Sequence, residues 1–421
     1  MKTIIIFFLL STLLVSAQTV STYAGSTING SLWGYVDGTI TTAQFSQPVA
    51  TVIENFTGTM YVADELNRRI RKITSDGVVT TFAGGSAFFL DGNGINASFG
   101  APEGLVIDSG GTLYVVDRGW NAIRKITASG DVTTFAGSIT SSSGYVDGQG
   151  TEARFNYPLG IVIDNLGNLF VTDSFNHKVR KITPQGNVST FAGSTIGYLD
   201  ATGTSSKFNN PEGITIDSNN NLYVADTNNG VIRKITPYGI VSTFVGNNAI
   251  PWLTFNVKGI TRSSTGATYF TSQNHTVYSV SSTGVISQLA GAPNVFGYED
   301  GENAKFSQPK GITLDQTETN LYIADKMNHR IRKIALENLA TETFLKNKIT
   351  IFPNPVNNIL TIKIPENTSI SNISITDLTG KKVLEQNNNS TTVNVEKLQN
   401  GIYLLQIVSE GKTATSKFIK N

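Results

Sequence analysis

At 421 residues, with 39% hydrophobic side chains and 40 glycines, the chain can bury a large core and form many tight turns. Its 32 basic and 31 acidic residues leave a net charge of +1, so no global field draws it to nucleic acid or to an anionic membrane. The sequence contains no cysteine, which excludes disulfides, thiolate metal sites and a cysteine-linked lipid anchor. Core packing alone must then hold the fold.

Residues 1–17 read as a secretory signal peptide. Lys2 supplies the positive end, residues 4–15 form the apolar core, and residues 15–17 (Val-Ser-Ala) form a small-residue cleavage site. Gln18 would then be the mature start. Because a bilayer span takes about 20 apolar residues, this run is too short to be one. We therefore predict an exported chain with no transmembrane segment in its mature part.

The chain up to residue 336 restates one motif, of which residues 173–191 (DSFNHKVRKITPQGNVSTF) are the clearest copy. Five copies begin with an aspartate and carry an Arg-Lys pair seven residues later. The aspartates are Asp64, Asp117, Asp173, Asp226 and Asp325, and the matching arginines are Arg71, Arg124, Arg180, Arg233 and Arg332. Self-similarity of this kind predicts a repeat architecture.

Each repeat contains four short β-rich runs separated by turn residues, which predicts a four-stranded antiparallel meander. In the first two runs, such as residues 158–164 (PLGIVID) and 168–173 (NLFVTD), apolar residues are consecutive instead of alternate. Both faces of the sheet must then be buried, as they are when blades stack around an axis. We therefore predict an all-β fold, a β-propeller.

Six copies of the first run predict six blades. They start at Pro48, Pro102, Pro158, Pro211, a worn copy near Val257, and Pro309. The sixth copy lacks a clear fourth strand, whereas residues 20–25 (VSTYAG) match residues 188–193 (VSTFAG) of the third. Pairing residues 20–25 with the last blade would close the ring and remove an exposed edge, so we favour this closure. Residues 341–344 (TETF) are the rival strand.

The repeats resemble a known family. Asn176-His177-Lys178 and Asn328-His329-Arg330, within a recurring Pro-x-Gly-Ile…Asp…Tyr-Val-Ala-Asp pattern, are similar to NHL repeats. The resemblance covers residues 18–336 and implies the six-bladed propeller that this family forms.

A polar linker at residues 337–348 leads to residues 349–421, where alternating apolar residues and Asn and Gly turns predict a small antiparallel β-sandwich. Its Phe-Pro-Asn-Pro opening at 352–355, Asn-Gly-Ile-Tyr run at 400–403 and Lys-Phe-Ile-Lys ending at 417–420 resemble the type A C-terminal sorting domain of type IX secretion. The resemblance implies a Gram-negative bacterium, recognition by the type IX secretion machinery, and a secreted or outer-surface location. Cleavage of the domain stays open, and an ordinary β-domain is the alternative.

Four aromatic residues are predicted on one face of the propeller, where the inter-blade loops meet the turns between second and third strands. Trp33 and Trp252 fall in inter-blade loops, and Trp120 and Phe175 fall in turns. Loops on a rigid scaffold commonly carry binding residues, and exposed aromatic side chains suit sugars or a protein partner. The alternative is that they fill gaps between loops.

The residue after each first-strand proline is predicted to ring the channel mouth on the same face. This position varies between blades while its neighbours in sequence repeat: Val49, Glu103, Leu159, Glu212, Lys258 (after Val257 in the worn blade) and Lys310. Such variation suits a ligand-facing position, and Glu103, Glu212, Lys258 and Lys310 are the candidates for ligand binding. Equally, these charged side chains could pair with each other or meet water.

The repeated Asp and Arg are interpreted as structural, because an ion pair is needed once per blade and a catalytic group once per site. No catalytic residue, metal site or cofactor is predicted, since only three histidines exist and no Gly-x-Ser-x-Gly, Walker or metal-helix motif occurs. The favoured function is a non-catalytic binding or scaffold protein with a protein or glycan ligand. The alternative is a metal-dependent hydrolase or lyase, lactonase-like or amidating-lyase-like, in the channel, so enzyme activity stays open.

Overall fold

The computed structural model describes residues 18–26, 33–85, 89–246, 256–336, 350–364, 370–377, 381–386, 390–409 and 412–421. The chain divides into two compact units, Met1–Ala335 and Leu336–Asn421. In the described ranges the helical segments are short 3-10 turns: Gly94–Asn96, Arg118–Trp120, Gly150–Glu152, Ser174–Asn176, Gly203–Ser205, Thr227–Asn229 and Lys326–Asn328. No helix within these ranges has the length and apolar character needed to cross a membrane.

The first unit consists of six antiparallel sheets. Its strands up to the third sheet are β1 (Val20–Ala24), β2 (Gly38–Thr39), β3 (Pro48–Ile53), β4 (Met60–Asp64), β5 (Arg69–Ile73), β6 (Val78–Gly84), β7 (Gly92–Asn93), β8 (Pro102–Ile107), β9 (Leu113–Asp117), β10 (Ala122–Ile126), β11 (Asp131–Gly137), β12 (Gly148–Gln149), β13 (Pro158–Ile163), β14 (Leu169–Asp173), β15 (Lys178–Ile182) and β16 (Asn187–Ala192). The remaining strands are β17 (Pro211–Ile216), β18 (Leu222–Asp226), β19 (Val231–Ile235), β20 (Val241–Val245), β21 (Val257–Arg262), β22 (Thr268–Ser272), β23 (Thr276–Val280), β24 (Ile286–Gly291), β25 (Pro309–Leu314), β26 (Asn320–Asp325) and β27 (Arg330–Ala335).

Each sheet is one blade of four main strands; these are consecutive in the chain in the first five blades, whereas the sixth combines β25, β26 and β27 with the N-terminal β1. β2, β7 and β12 add a short fifth strand to the outer edges of the first three blades. The first strands face the axis: β3, β8, β13, β17, β21 and β25 each contact the next, and β25 contacts β3. The ring of blades is therefore closed, which confirms the predicted six-bladed β-propeller.

The second strands show why the sequence selects this architecture. All five residues of β4 are buried, and the same holds for β9, β14 and β18. Buried clusters join adjacent blades, as where Ile70 of the first blade packs with Val115 of the second. The consecutive apolar residues of each second strand thus pack against both adjacent blades, as predicted.

The N-terminal strand closes the ring. β1 pairs antiparallel with β27, with Val20 opposite Ile334 and Thr22 opposite Arg332, and both Val20 and Ala24 are fully buried. The closure by residues 20–25 is therefore confirmed, and the rival strand at 341–344 lies outside the described residues.

The fifth blade keeps its four strands without the repeated ion pair. Ser272 and Tyr278 occupy the positions of the repeat Asp and Arg, and both are buried. Tyr278 stacks on Phe270 with ring centroids 5.2 Å apart. Aromatic packing here replaces the buried charges of the other blades.

The second unit is the small antiparallel β-sandwich that was predicted. One sheet contains β28 (Thr350–Phe352), β29 (Ile359–Lys363) and β32 (Thr392–Asn394), and the other contains β30 (Asn372–Asp377), β31 (Lys382–Gln386), β33 (Gly401–Ser409) and β34 (Lys412–Lys420). Leu360 of the first sheet and Ile373 and Leu405 of the second belong to one buried core.

Candidate functional site

Five blades each contain a fully buried arginine held between two carboxylates. In the third blade Arg180 donates through Nη1 to Asp173 (2.7 Å) and through Nη2 to Asp147 (2.5 Å). It also donates to the backbone oxygens of Arg154 (3.1 Å) and Val146 (3.0 Å). The same arrangement, which we call the arginine clamp, recurs around Arg71, Arg124, Arg233 and Arg332. The repeated Asp and Arg are thus structural.

The inter-blade loops supply the second carboxylate of each clamp. Asp147 also accepts hydrogen bonds from the backbone N–H (3.2 Å) and hydroxyl (3.3 Å) of Thr190. Tyr145 of the same loop and Phe155 place their ring centroids 5.1 and 5.2 Å from the Arg180 guanidinium carbon. The same Gly-Tyr-x-Asp sequence recurs at residues 34–37, 144–147, 197–200 and 297–300, and these inter-blade loops therefore hold their own blades together.

All three histidines connect neighbouring blades. Each accepts a hydrogen bond at Nδ1 from a backbone N–H that precedes a first strand: His177 from Asn210 (3.2 Å), His275 from Gln308 (3.1 Å) and His329 from Gln47 (3.0 Å). Burial lowers the pKa of all three, with Lys178 and Arg330 adding to the effect at His177 and His329. Across the described residues, no three His, Asp or Glu side chains are grouped as a metal site requires.

The position after each first-strand proline does line the central channel. Val49, Glu103, Leu159, Glu212, Lys258 and Lys310 border one cavity on the axis. Lys310 Nζ lies 2.6 Å from Glu103 Oε2, and Lys258 Nζ lies 2.6 Å from Glu212 Oε1. The four charged residues therefore pair with each other.

Three charged residues from turns between second and third strands extend this network. Glu65, Arg118 and Lys326 each directly follow a repeat aspartate. Arg118 contacts Glu65 through Nη2 and Glu103 through Nε, the latter at 2.8 Å. Lys326 Nζ lies 2.8 Å from Glu65 Oε2. These three side chains, together with Glu103, Glu212, Lys258 and Lys310, form what we call the channel mouth.

Oppositely charged neighbours in the channel mouth stabilise the ionised forms of Glu103 and Lys310. Burial alone would raise the pKa of Glu103, but Lys310 and Arg118 outweigh it and hold that pKa below its ordinary value. Burial alone would lower the pKa of Lys310, but Glu103 and Glu212 outweigh it and hold that pKa above its ordinary value. Both groups therefore stay charged at neutral pH.

A cavity of about 200 Å³ opens at the channel mouth. The polar residues that line it come from the fourth, fifth and sixth blades: Glu212, Lys258, Gln273, Gln308, Lys310 and Lys326. Charged groups and amides that converge on one concave space can fix and orient a polar ligand.

Tyr157 of the third blade forms an aromatic wall of the cavity. The Arg118 guanidinium carbon lies 4.8 Å from the Tyr157 ring centroid, and the Phe175 ring stacks on Tyr157 at 4.3 Å with an interplanar angle of 8°. Since one face of the ring cannot hold both groups, they take opposite faces. Phe175, a predicted site residue, remains 49% exposed and extends the aromatic surface beyond the cavity.

The predicted tryptophans do not form one site with the cavity. Trp120 is half-buried, packs edge-on against Phe89 at 5.0 Å, and lies so close to Gly100 that a Cβ there would be 2.7 Å from the indole. It fills a gap between loops. Trp33 is 62% exposed but does not line the cavity, and Trp252 lies outside the described residues.

Sequence reasoning missed Glu65, Arg118 and Lys326, although a usable signal exists. The residue after the repeat aspartate varies between blades in the same way as the residue after the proline: Glu65, Arg118, Ser174, Thr227, Gln273 (after Ser272 in the fifth blade) and Lys326. Variation at a fixed position of the repeat, which identified Glu103 and its counterparts, would therefore also have identified Glu65, Arg118 and Lys326. Tyr157 and Gln308 each precede a first-strand proline, and that position also varies between blades, so the same signal exists for them.

Two family models match the chain. One described as NHL repeat matches residues 155–182 and 208–235, and one described as Secretion system C-terminal sorting domain matches residues 350–421. Together with the closed ring of blades, the first match defines an NHL-repeat β-propeller. The second adds a type IX sorting domain, so the protein is exported to the surface or the outside of a Gram-negative bacterium.

Curated relatives match part of the chain. The chain is 31% identical over 233 residues to Protein SUPPRESSOR OF QUENCHING 1, chloroplastic, of Arabidopsis thaliana, covering 52% of this chain and 22% of that protein. It is 36% identical over 151 residues to NHL repeat-containing protein 2 of Homo sapiens, covering 32% of this chain and 21% of that protein. The chain thus spans about a fifth of the length of these relatives.

Solved structures share the fold. An auxiliary nutrient binding protein from Bacteroides thetaiotaomicron matches with a TM-score of 0.56 and 16% identity, covering 76% of each chain. A gluconolactonase from Xanthomonas campestris matches with a TM-score of 0.50 and 15% identity, covering 69% of this chain and 86% of that one. At these identities the likeness concerns architecture alone.

Proposed function

We propose that this secreted or surface-held propeller is a non-catalytic binding module that holds a small polar ligand, a glycan or a peptide, at its channel mouth. The observation that carries the proposal is the cavity, in which groups from four blades, the third to the sixth, converge on one space. A preformed concave site with a few oriented polar groups is the usual form of a ligand pocket.

The chemistry of these groups favours binding over catalysis. The carboxylates of the channel mouth are engaged in ion pairs, and the histidines bond to the backbone of the next blade. The lowered pKa of Glu103 makes it a weak base, and the Nδ1 lone pair of each histidine is taken by a backbone N–H, so neither is suited to act as a general base. The likeness to a gluconolactonase is one of fold alone and does not favour a hydrolase.

Titration calorimetry on the mature chain, residues 18–421, against a panel of neutral and acidic oligosaccharides and short peptides tests the proposal. Phe175→Ala and Gln273→Ala are expected to weaken binding about tenfold, since each removes a contact surface beside the cavity. Phe56→Ala is the matched control, because Phe56 is 87% exposed on a turn at the opposite end of the first strands.

Two results would contradict the proposal. Either no ligand class binds, or a ligand binds and both variants retain full affinity, which would move the site away from the channel mouth.

A further inference from the structure

The channel mouth carries one positive charge that its own carboxylates do not neutralise. Its cations are Arg118, Lys258, Lys310 and Lys326, and its carboxylates are Glu65, Glu103 and Glu212, so four positive charges meet three negative ones. All four cationic side chains are only 20–21% exposed. An unmatched charge held mostly out of water favours an anion over a neutral ligand.

The excess charge is concentrated where a ligand would lie. Lys258, Lys310 and Lys326 line the cavity together with a single acid, Glu212. Glu65 and Glu103 do not line this cavity, and their side chains are 6% and 4% exposed. The cavity wall therefore presents three ammonium groups and one carboxylate.

The ammonium groups have donors available for a ligand. In the described part of the chain, each of the three lysines makes an ion pair with one carboxylate, at 2.6 to 2.8 Å. An ammonium group has three N–H donors, and a carboxylate accepts at two oxygens. One bound carboxylate could thus be shared by two lysines and complete the charge balance of the channel mouth.

The remaining lining groups suit hydroxyls. The amides of Gln273 and Gln308 can both donate and accept, as sugar hydroxyls require. Phe175, half-exposed and stacked on Tyr157 beside the cavity, offers an aromatic surface against which the C–H face of a sugar ring can pack. The cavity of about 200 Å³ is compact, which favours a single ring unit over an extended chain.

From these observations we infer that the channel mouth selects a saccharide that carries a carboxylate, that is, a uronic-acid unit of an acidic glycan. This inference rests on the proposed binding function and names its ligand class.

A matched pair of probes tests the inference on the mature chain. A short oligogalacturonate is compared by titration calorimetry with its methyl ester of the same length, which keeps the ring and hydroxyls but removes the charge. The acid is expected to bind about tenfold more tightly than the ester, and raising the salt concentration should reduce this difference in affinity.

Charge variants give opposite expectations. Lys326→Gln should weaken acid binding about tenfold while Glu65 retains Arg118 as its partner. Glu212→Gln removes the one acid of the cavity wall and should strengthen acid binding. Lys305→Gln is the control, because Lys305 forms a similar pair with Glu299 at 2.8 Å, is 41% exposed and lies outside the cavity.

The outcomes separate this inference from the proposed function. Equal binding of acid and ester, or equal effects of Lys326→Gln and Lys305→Gln, would overturn the anion requirement while leaving the binding function intact. Binding of an acidic peptide, such as a short polyglutamate, without any saccharide would overturn the ligand class. Failure of every probe and of the wider panel would overturn the binding function itself.

Discussion

The fifth blade supplies the substitutions that test the arginine clamp. There Ser272 and Tyr278 stand where the third blade has Asp173 and Arg180, and the blade still folds into four strands. Transplanting these residues gives three variants of the third blade: Arg180→Tyr, Asp173→Ser, and both together. We expect Arg180→Tyr to cause a large loss of stability that Asp173→Ser partly reverses.

The structure sets the size of the loss. Arg180→Tyr deprives Asp147 of a partner, but that side chain is 45% exposed and can be hydrated. Asp173 is fully buried, and burial already raises its pKa against the opposing charge of Arg180. Leaving a buried charge unpaired costs about 3–5 kcal/mol. Since Asp173 keeps bonds from the Asn156 N–H (2.7 Å) and the Asn176 amide (2.8 Å), we expect the lower end, about 3 kcal/mol.

Thermal unfolding of the mature chain, followed by calorimetry, provides the assay. A domain of this size loses roughly 2 °C of Tm for each kcal/mol, so Arg180→Tyr should lower the propeller transition by about 6 °C. The double variant should be more stable than the sum of the two single losses predicts, by about 1–3 kcal/mol in the free energy of unfolding. If the losses simply add, the damage comes from the shape of tyrosine and the charge argument is wrong.

Two further predictions concern the ring. Replacing His177, His275 and His329 by Asn, the residue that accepts the matching bond at position 121, should flatten the pH dependence of stability. The folded histidines have lowered pKa values, so their hydrogen bonds stabilise the fold fully above about pH 6.5 and are lost as the pH falls through the folded pKa. Urea unfolding between pH 7 and pH 5 should therefore show the wild type losing more stability than the variant. Parallel plots of stability against pH for the two proteins would contradict this. Deleting residues 18–24 removes the strand that closes the ring and should lower the propeller Tm and expose apolar surface to a dye, whereas an unchanged Tm would show that another segment closes it.

The fold was predictable because its causes are local. Consecutive apolar residues in the second strand of each repeat require burial on both faces, and only stacked blades provide it. The recurrence of Asp173 and Arg180 in five blades marked them as structural before any geometry was known. The match of residues 20–25 to an outer strand likewise predicted the closing strand, because a propeller with an unpaired edge would be incomplete.

The site was less predictable because its contacts cross the ring. Lys310 and Glu103 are 207 positions apart and meet at 2.6 Å. Spacing along the chain carries no information on such a pair. These positions were indicated only because they vary between blades while the rest of the motif repeats. Asp147 was missed for a different reason: it pairs with Arg180 of its own blade, 33 residues further along, and nearly the same spacing recurs in every clamp, so the repeat did carry a signal for it.

Clamp and channel mouth are consecutive in the chain, and this adjacency explains how the site is held. Asp117 accepts hydrogen bonds from the backbone N–H groups of Gly100 and Ala101 and contacts Arg124, and the next residue is Arg118 of the channel mouth. The clamp therefore fixes the turn that presents the charge. Binding by charged groups is favourable when they are oriented in advance, because reorganisation subtracts from the affinity. Residues that repeat thus hold the blades in place, and the residues that vary beside them are free to contact the ligand that we propose.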